Sequence, residues 1–386
     1  MSALAAEVEK QIDALLTAPT FSLEPAEHQA RLLRLLQMEL TYAADRNERV
    51  CQYLDAWPTD YRAAASLADL PYLPVGAFKA SPPLTLTGAE NITHTLASSA
   101  TTGQTPSRVA LDAPTSRRMV KGVVAIASDF IGSRRRPYLV IDTAETLAAG
   151  AELGARAAAI QGLRPFATEM VCCLGGNGAR EPRIDESRLA AFAAKWGAVE
   201  VLAYGFTYVI WQHFVQPLRE RGIRLQLPNI RVLHSGGWKR LQEQAVSRAA
   251  FAAGVAEVFG CSADRVLDFY GMVENVGVIY PDCEYGHKHV PAFAAVIVRD
   301  PLTLRPVKEG QQGLVQVCSV LPTSFPGFLV LTDDIAEVIS YDGCGCGRRG
   351  LSFRFVKRVP QSEIRGCGNI ETTRQRTSAA AMMGDG

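Results

Sequence analysis

Neither sign of charge prevails in this chain, and no long apolar run crosses it. Its 40 basic residues stand against 39 acidic ones, a net charge of +1. No overall field therefore draws it to nucleic acid or to an anionic membrane surface. The most apolar long stretch, Leu189 to Phe214, is broken by Lys195, Gly197 and Glu200, so it fails as a membrane span. The first residues lack the charged start, apolar centre and small-residue cleavage site of a secretory leader; Met1 to Ala18 mixes apolar residues with Glu7, Glu9, Lys10 and Asp13. Nine cysteines without such a leader argue for reduced thiols, metal ligands or buried small hydrophobes rather than a disulfide framework. A cytoplasmic protein with no nucleic-acid partner and no membrane span is expected. Internal repeats and low-complexity blocks are missing too. The one basic cluster, Arg134 to Arg136 before Pro137, reads as a solvated turn.

What is present is globular: 48% apolar and 20% charged residues over 386 positions, enough for one large α/β body with subdomains. The first sixty residues read as helix, with a 3.6-residue rhythm through Leu32, Leu33, Leu35, Leu36, Met38 and Leu40. From Leu70, Pro71, Pro74, Gly76, Pro82 and Pro83 punctuate short apolar pieces, and NITHTLASSA (91–100) reads as a strand entering a loop. Strands at Tyr138 to Ile141, Glu200 to Ala203 and Arg231 to Leu233 then alternate with helices at Arg188 to Trp196, Trp211 to Arg221 and Leu241 to Phe259. Such alternation predicts a sheet flanked by helices. Beyond Tyr280 the texture becomes strand-rich through AAVIVRD, GLVQVCSV and FLVLTDDIAEVIS, a smaller β-subdomain, and from about Ile370 a polar tail follows.

The segment SSATTGQTPS (98–107) places Ser98, Ser99, Thr101 and Thr102 before Gly103, with Thr105, Pro106 and Ser107 after it. Hydroxyls and free backbone N–H groups on such a turn can wrap phosphates, and a glycine lets the backbone approach them closely. It is no Walker loop, because no Lys follows the glycine in the GKS or GKT pattern. Composition alone equally allows a solvated Ser/Thr linker.

Its neighbours decide. SSATTGQTP resembles the SSGTTGxPK phosphate loop of the adenylate-forming superfamily of acyl-CoA synthetases, peptide-synthetase adenylation domains and luciferases. In the same order, SGGW (235–238) is similar to that superfamily's adenine-contacting turn, YGMVEN (270–275) to its YGxTE, and LTDD (331–334) stands where a TGD binds ribose. PYLPVGAFKA (71–80), LHSGGWKRL (233–241) and SEIRGCG (362–368) resemble most the acyl-protein synthetases of bacterial luminescence, with phenylacetate-CoA ligases as cousins. The resemblance spans about residues 70 to 368. It implies an α/β large domain with helix-flanked sheets and a smaller β-subdomain: an N-terminal helical segment at 1–65, an adenylation core at 66–357 that is β-rich from about 280, and a short C-terminal segment at 358–386 in place of most of the mobile domain.

The resemblance also implies roles. Ser98, Ser99, Thr101, Thr102 and Gly103 would hold the triphosphate, and Glu274 would bind Mg²⁺, a hard cation suited to a carboxylate. Tyr270 and Gly271 with Gly236 and Gly237 would take the adenine, Asp334 both ribose hydroxyls, and Arg358 a ribose or phosphate oxygen. Glu274, Thr101, Thr102 and Arg358 would thus serve catalysis. Tyr204, Gly205, Phe206 and Thr207 lie where the superfamily places an aromatic-lined acid pocket, though aromatic core packing explains them as well. Departures are Ala100 for the usual glycine, Ser107 and Arg108 in place of the lysine after the proline, and only 28 residues after Arg358 where the superfamily continues into a domain bearing the catalytic lysine. Lys239 and Lys357 are candidates for the missing cation.

Two further constellations involve cysteine. Cys283, His287, His289, Cys344 and Cys346 supply thiols and imidazoles for a tetrahedral zinc site, with Cys-x-Cys on a glycine turn letting both sulfurs face one ion. The phenylacetate ligases show a similar pattern, and HVP in the luminescence relatives selects His289 over His287. A closed set of four ligands makes such zinc structural; the alternative is a glycine-rich turn with incidental thiols. Cys367 in RGCGN matches the C-terminal cysteine that receives the acyl group in the luminescence relatives, or is an inert residue in a turn. Cys51, Cys172, Cys173, Cys261 and Cys318 sit in apolar contexts and read as core.

The expected activity is Mg²⁺-dependent formation of acyl-AMP and pyrophosphate from ATP and a small-molecule carboxylic acid, then acyl transfer to CoA, a protein thiol, or a small-molecule amine or hydroxyl. The compact pocket segment tilts the acid toward an aryl compound of a biosynthetic pathway. Alternatives are a fatty acyl-protein synthetase acylating its own cysteine and, from another class, a non-catalytic nucleotide-binding regulatory protein.

Overall fold

A computed structural model describes residues 3–98, 105–148, 152–176, 181–238 and 245–359. These form two compact units, the first from described residues within 3–98, 105–126 and 272–359, the second from those within 127–271.

The chain opens with α1 (Ala3–Thr17), α2 (Pro25–Ala44) and α3 (Glu48–Asp55). Each buries an apolar stripe; in α2 it is Leu32, Leu35, Leu36, Leu40 and Ala43, with Pro25 in the first turn where its missing N–H costs nothing. Asn47 caps α3 by accepting from the Val50 N–H. An antiparallel hairpin follows, β1 (Ile92–Ala97) against β2 (Arg108–Asp112). The long helix α4 (Ala113–Ile131) then carries the chain into the second unit.

The second unit is a mostly parallel sheet. Its strands are β3 (Arg136–Thr143), β4 (Ala167–Gly175), β5 (Arg183–Ile184), β6 (Val201–Phe206), β7 (Ile230–Ser235) and β8 (Val266–Tyr270), in spatial order β8-β7-β6-β3-β4-β5. β3 and β6 are buried along their whole length, which fits their near-continuous apolar runs at the centre of a parallel sheet. Helix α5 (Ala155–Leu163) links β3 to β4, and α6 (Glu186–Trp196) and α7 (Arg248–Phe259) are capped by Asp185 and Ser247. Of the helical run predicted from Leu241, residues 241–244 lie outside the described residues, and the described helix runs from Arg248 to Phe259. The run predicted over Trp211 to Arg221 begins earlier, at Thr207, and contains a π turn at Trp211–Val215. The arginine cluster differs from the solvated turn expected: Arg136 is only 4% exposed, and the Arg135 guanidinium caps the Ala167 carbonyl.

Back in the first unit, β9 (Lys288–His289), β10 (Ala294–Arg299), β11 (Gln312–Ser319), β12 (Leu329–Ser340) and β13 (Ser352–Arg358) form an antiparallel sheet in the order β9-β13-β12-β11-β10. Val315, Val317, Val330 and Phe325 fill its fully buried face. Among the described residues no helix is long and apolar enough to cross a membrane.

Candidate active site and metal cluster

In the first unit the hairpin β1–β2 is extended at its loop end by two hydrogen bonds between the residues flanking the hydroxyl loop. The Ser98 N–H donates to the Ser107 carbonyl and the Ser107 N–H to Ser98 Oγ, each at 2.9 Å. Ser99, Thr101, Thr102 and Gly103 lie outside the described residues, as do Ala100, Lys239 and Cys367. Ser107, where the superfamily has lysine, is buried, and its hydroxyl hydrogen-bonds the carboxyl of Glu274.

Glu274 sits in a short 3₁₀ turn, 4% exposed. Burial pushes its carboxyl above the usual range, while Ser107, its own backbone N–H and the charge of Arg358 pull it down and Asp334 pushes it up again. The turn is held by close backbone packing. Gly277 has φ +78°, and a Cβ there would lie 2.7 Å from the Met119 Cα on α4. Asn275 donates to the Tyr280 hydroxyl at 3.0 Å.

Asp334 and Arg358 occupy paired positions on β12 and β13. Arg358 donates from Nε to Oδ1 at 2.8 Å and from Nη2 to Oδ2 at 3.3 Å, so both carboxylate oxygens are engaged. Asp334 is 1% exposed, whereas the Arg358 side chain is 70% exposed. Lys357 is also exposed, but successive residues of a strand face opposite sides, so it points away from that carboxylate.

In the second unit the strand order reverses between β3 and β6. In open α/β sheets ligands bind outside the carboxyl ends of strands near such a switch. The predicted residues of this unit fall at those ends: Tyr204 to Thr207 close β6, Gly236 and Gly237 follow β7, and Tyr270 and Gly271 end β8. Gly236 requires glycine, since its φ is +79° and a Cβ would meet the Phe206 ring at 3.1 Å. Tyr204 is fully buried, donating to or accepting from Ser235 Oγ at 2.8 Å and stacking on Phe269. Gly205 has no room for a side chain beside the Ile141 carbonyl and the Ile210 side chain. The Thr207 hydroxyl lies 3.1 Å from the Ser235 carbonyl and 2.9 Å from His234 Nδ1, so it bridges the end of β7 to the imidazole.

Sequence reasoning missed a second group at this switch. Asp142, at the end of β3, is 1% exposed and takes both prongs of the Arg156 fork, Nε at 2.8 Å among them, while Arg156 Nη1 reaches the Tyr208 hydroxyl at 3.4 Å. The visible signal was an aspartate closing the apolar run YLVIDT.

The cysteine–histidine set converges. Ligand atoms of Cys283, His289, Cys344 and Cys346 all lie within 4.8 Å of one another. Cys283 Sγ is 4.0 Å from Cys344 Sγ, and Cys346 Sγ is 3.2 Å from His289 Nε2. Tetrahedral zinc with sulfur at about 2.3 Å places sulfurs roughly 3.8 Å apart, so the donors fit that ion in number, type and spacing. His287 stands outside the quartet, with Nδ1 3.5 Å from Cys344 Sγ. Burial pushes the Cys283 thiol up to about 12 and the His289 imidazole down to about 4. Both shifts disfavour charge, and a dication would reverse that for the thiols.

Solved structures share this fold. The chain superposes on 2-hydroxyisobutyryl-CoA ligase in an open conformation in complex with 2-HIB-AMP and CoA, with a TM-score of 0.67, 18% identity, and coverage of 88% of this chain and 77% of that one. The same ligase in its postadenylation state gives 0.67 at 17% identity, covering 88% and 69%. Residues 7–374 match the family described as acyl-protein synthetase, LuxE, and the chain belongs to that family. It is 33% identical over 138 residues to the long-chain-fatty-acid–luciferin-component ligase of Vibrio harveyi and 30% identical over 167 residues to that of Aliivibrio fischeri. Those matches span 35% and 42% of the respective relatives.

Proposed function

We propose that the chain is an ATP-dependent acyl-activating ligase that joins a carboxylate to the α-phosphate of ATP, releases pyrophosphate, and passes the acyl group to an acceptor nucleophile. The observation that carries this reading is the surroundings of Glu274: a buried carboxyl hydrogen-bonded by Ser107 at the base of the hydroxyl loop, under the influence of both Arg358 and Asp334. Burial is the main cause that disfavours the charge of this carboxyl, and a bound cation would offset it, which suits a cation site. Glu274 would hold Mg²⁺, which when bound offsets the repulsion between two anionic reactants.

The chain's own residues do the rest. Ser98 and Ser107 anchor the loop whose Ser99, Thr101, Thr102 and Gly103 would cradle the triphosphate. Gly236 and Gly237 offer backbone to the adenine beside Tyr270 and Gly271. Asp334 would accept the ribose hydroxyls, for which Arg358 must yield part of its fork; its exposed guanidinium is then free to meet a phosphate oxygen. No protein nucleophile is needed for this half-reaction. Zinc on Cys283, His289, Cys344 and Cys346 would be structural, because four protein ligands leave no open position.

Family membership and the names of the two bacterial ligases support a long-chain fatty acid over the aryl acid, and a protein acceptor over CoA. Incubation with ATP, Mg²⁺ and a panel of fatty and aryl acids, followed by mass detection of acyl-AMP, tests the reading. Measurable ATP binding with no acyl-AMP from any acid would instead support a non-catalytic nucleotide-binding protein.

A further inference from the structure

The far end of the parallel sheet, where its strands begin, carries a row of charge that the chemistry at their carboxyl ends does not use. In the spatial order of the strands, Arg265 precedes β8, Arg231 stands at the start of β7, Glu200 precedes β6, and Arg136 opens β3. Adjacent strands are about 4.8 Å apart, so these side chains form a ladder at that interval. Arg136 Nη1 and Arg231 Nε both donate to the same Glu200 oxygen, at 2.8 and 3.2 Å. Arg265 reaches the Asn229 carbonyl at 3.4 Å. Beside the row, exposed Arg135 spends its guanidinium on the Ala167 carbonyl, and exposed Arg134 has no ion pair among the described residues. Asp264 is the other carboxylate close by, held by the Ser262 hydroxyl.

Positive charge is thus in surplus on an otherwise balanced chain. The buried Arg136 guanidinium is easier to deprotonate than usual, first through burial and then through Arg231 and Arg134, although Glu200 opposes them. Between the side chains of Glu200, Asn229, Arg231 and Arg265 lies a cavity of about 280 Å³. Val199 adds an exposed apolar side chain next to Glu200 in the chain.

We propose that this row is a docking surface for a partner protein presenting an acidic helix. Carboxylates at i, i+3 and i+4 on one helix face recur at about 5 to 6 Å, close to the ladder's interval, and planar guanidinium forks match carboxylates in pairs. A nucleic acid fits less well, since Glu200 would stand in the path of its continuous phosphates. The site leaves the opposite ends of the strands, about 20 Å away for a six-residue strand, open for the adenylation residues.

The test is fluorescence anisotropy with a labelled helical peptide bearing glutamates on one face, a glutamine version of it, and a short DNA duplex as competitor. The acidic peptide binds, the glutamine version does not, and affinity falls with salt. The double variant Arg134→Ser/Arg265→Ser loses about tenfold in affinity, the sum of two exposed ion pairs. Glu200→Gln, which keeps an acceptor for Arg136 but removes the central negative charge, binds several-fold tighter. Arg34→Ser on α2 changes nothing, and circular dichroism confirms that each variant is folded. Equal binding of both peptides, an unaltered affinity in the double variant, weaker binding in Glu200→Gln, or DNA that binds more tightly than the peptide would each overturn the proposal.

Discussion

Arg358 holds both carboxylate oxygens of Asp334 across the β12–β13 pair, one partner exposed and the other fully buried. The residue expected to bind ribose is thus already satisfied. In the proposed reaction Arg358 would be a placeholder that pairs with this buried carboxylate until the nucleotide arrives. Replacing it with alanine leaves that charge unpaired, so Arg358→Ala raises the KM for ATP in pyrophosphate exchange by about tenfold or more. Asp334→Asn keeps the shape but not the charge and raises the same KM, whereas Arg354→Ala, on the same strand but paired with Glu337, leaves it unchanged.

Glu274→Gln removes the proposed cation ligand while preserving size. Exchange activity falls by roughly a hundredfold or more, and added Mg²⁺ does not restore it. Ser107→Ala raises the Mg²⁺ concentration needed for half-maximal exchange, and Ser107→Thr recovers most of it. A Ser107→Ala variant with unchanged Mg²⁺ dependence would break the link between the loop and the carboxylate.

The proposed zinc site predicts a stoichiometry. Elemental analysis of the purified chain finds about one zinc per molecule, and Cys344→Ser and Cys346→Ser lose it along with several degrees of melting temperature. His289→Ala loses it too. His287→Ala retains the metal but releases it faster to a chelator, because His287 touches Cys344 from outside the quartet.

Gly277→Ala places a methyl within 2.7 Å of the α4 backbone at a positive φ. It lowers stability by about 2 kcal/mol or more and displaces the Glu274 turn, so activity falls further than stability alone explains. Thermal denaturation and exchange on the same preparation separate the two effects.

Glu39 on α2 is completely buried, neither of its oxygens has a hydrogen-bond partner among the described residues, and burial pushes its carboxyl well above the usual range although Arg118 opposes this. The folded chain therefore keeps this proton at pH values where the unfolded chain has released it. Stability falls as pH rises from the ordinary carboxylate range toward the raised folded value. Glu39→Gln removes the penalty. Its melting temperature exceeds that of the parent by about 2 °C or more at pH 8, and by less at pH 5.

Much of the architecture was legible because its signals are local. The apolar runs at Tyr138 to Ile141 and Glu200 to Ala203 read as strands and fall at β3 and β6, and the converging cysteine–histidine quartet was named from its ligand types, a Cys-x-Cys turn and, for His289, the family resemblance. What was hidden depends on distant partners. SFRFVKR (352–358) looks too charged for a strand, yet pairs along β12 with its last five residues exposed. ATEMVCCLG (167–175) was read only for its thiols and proved to be a sheet strand beside β3. Arg136 was taken for solvent-facing because its partner, the half-exposed Glu200 just before β6, lies far away in sequence. The Asp142–Arg156 fork and the grip of Arg358 on Asp334 were equally invisible, since nothing near either carboxylate in sequence announces its guanidinium.

The most direct measurement is acid-dependent exchange of labelled pyrophosphate into ATP, run with long-chain fatty acids and aryl acids in the presence of Mg²⁺. The account predicts exchange that requires an acid, is strongest with a long-chain fatty acid, and disappears in Glu274→Gln. Exchange absent with every acid, while ATP still binds, would contradict it.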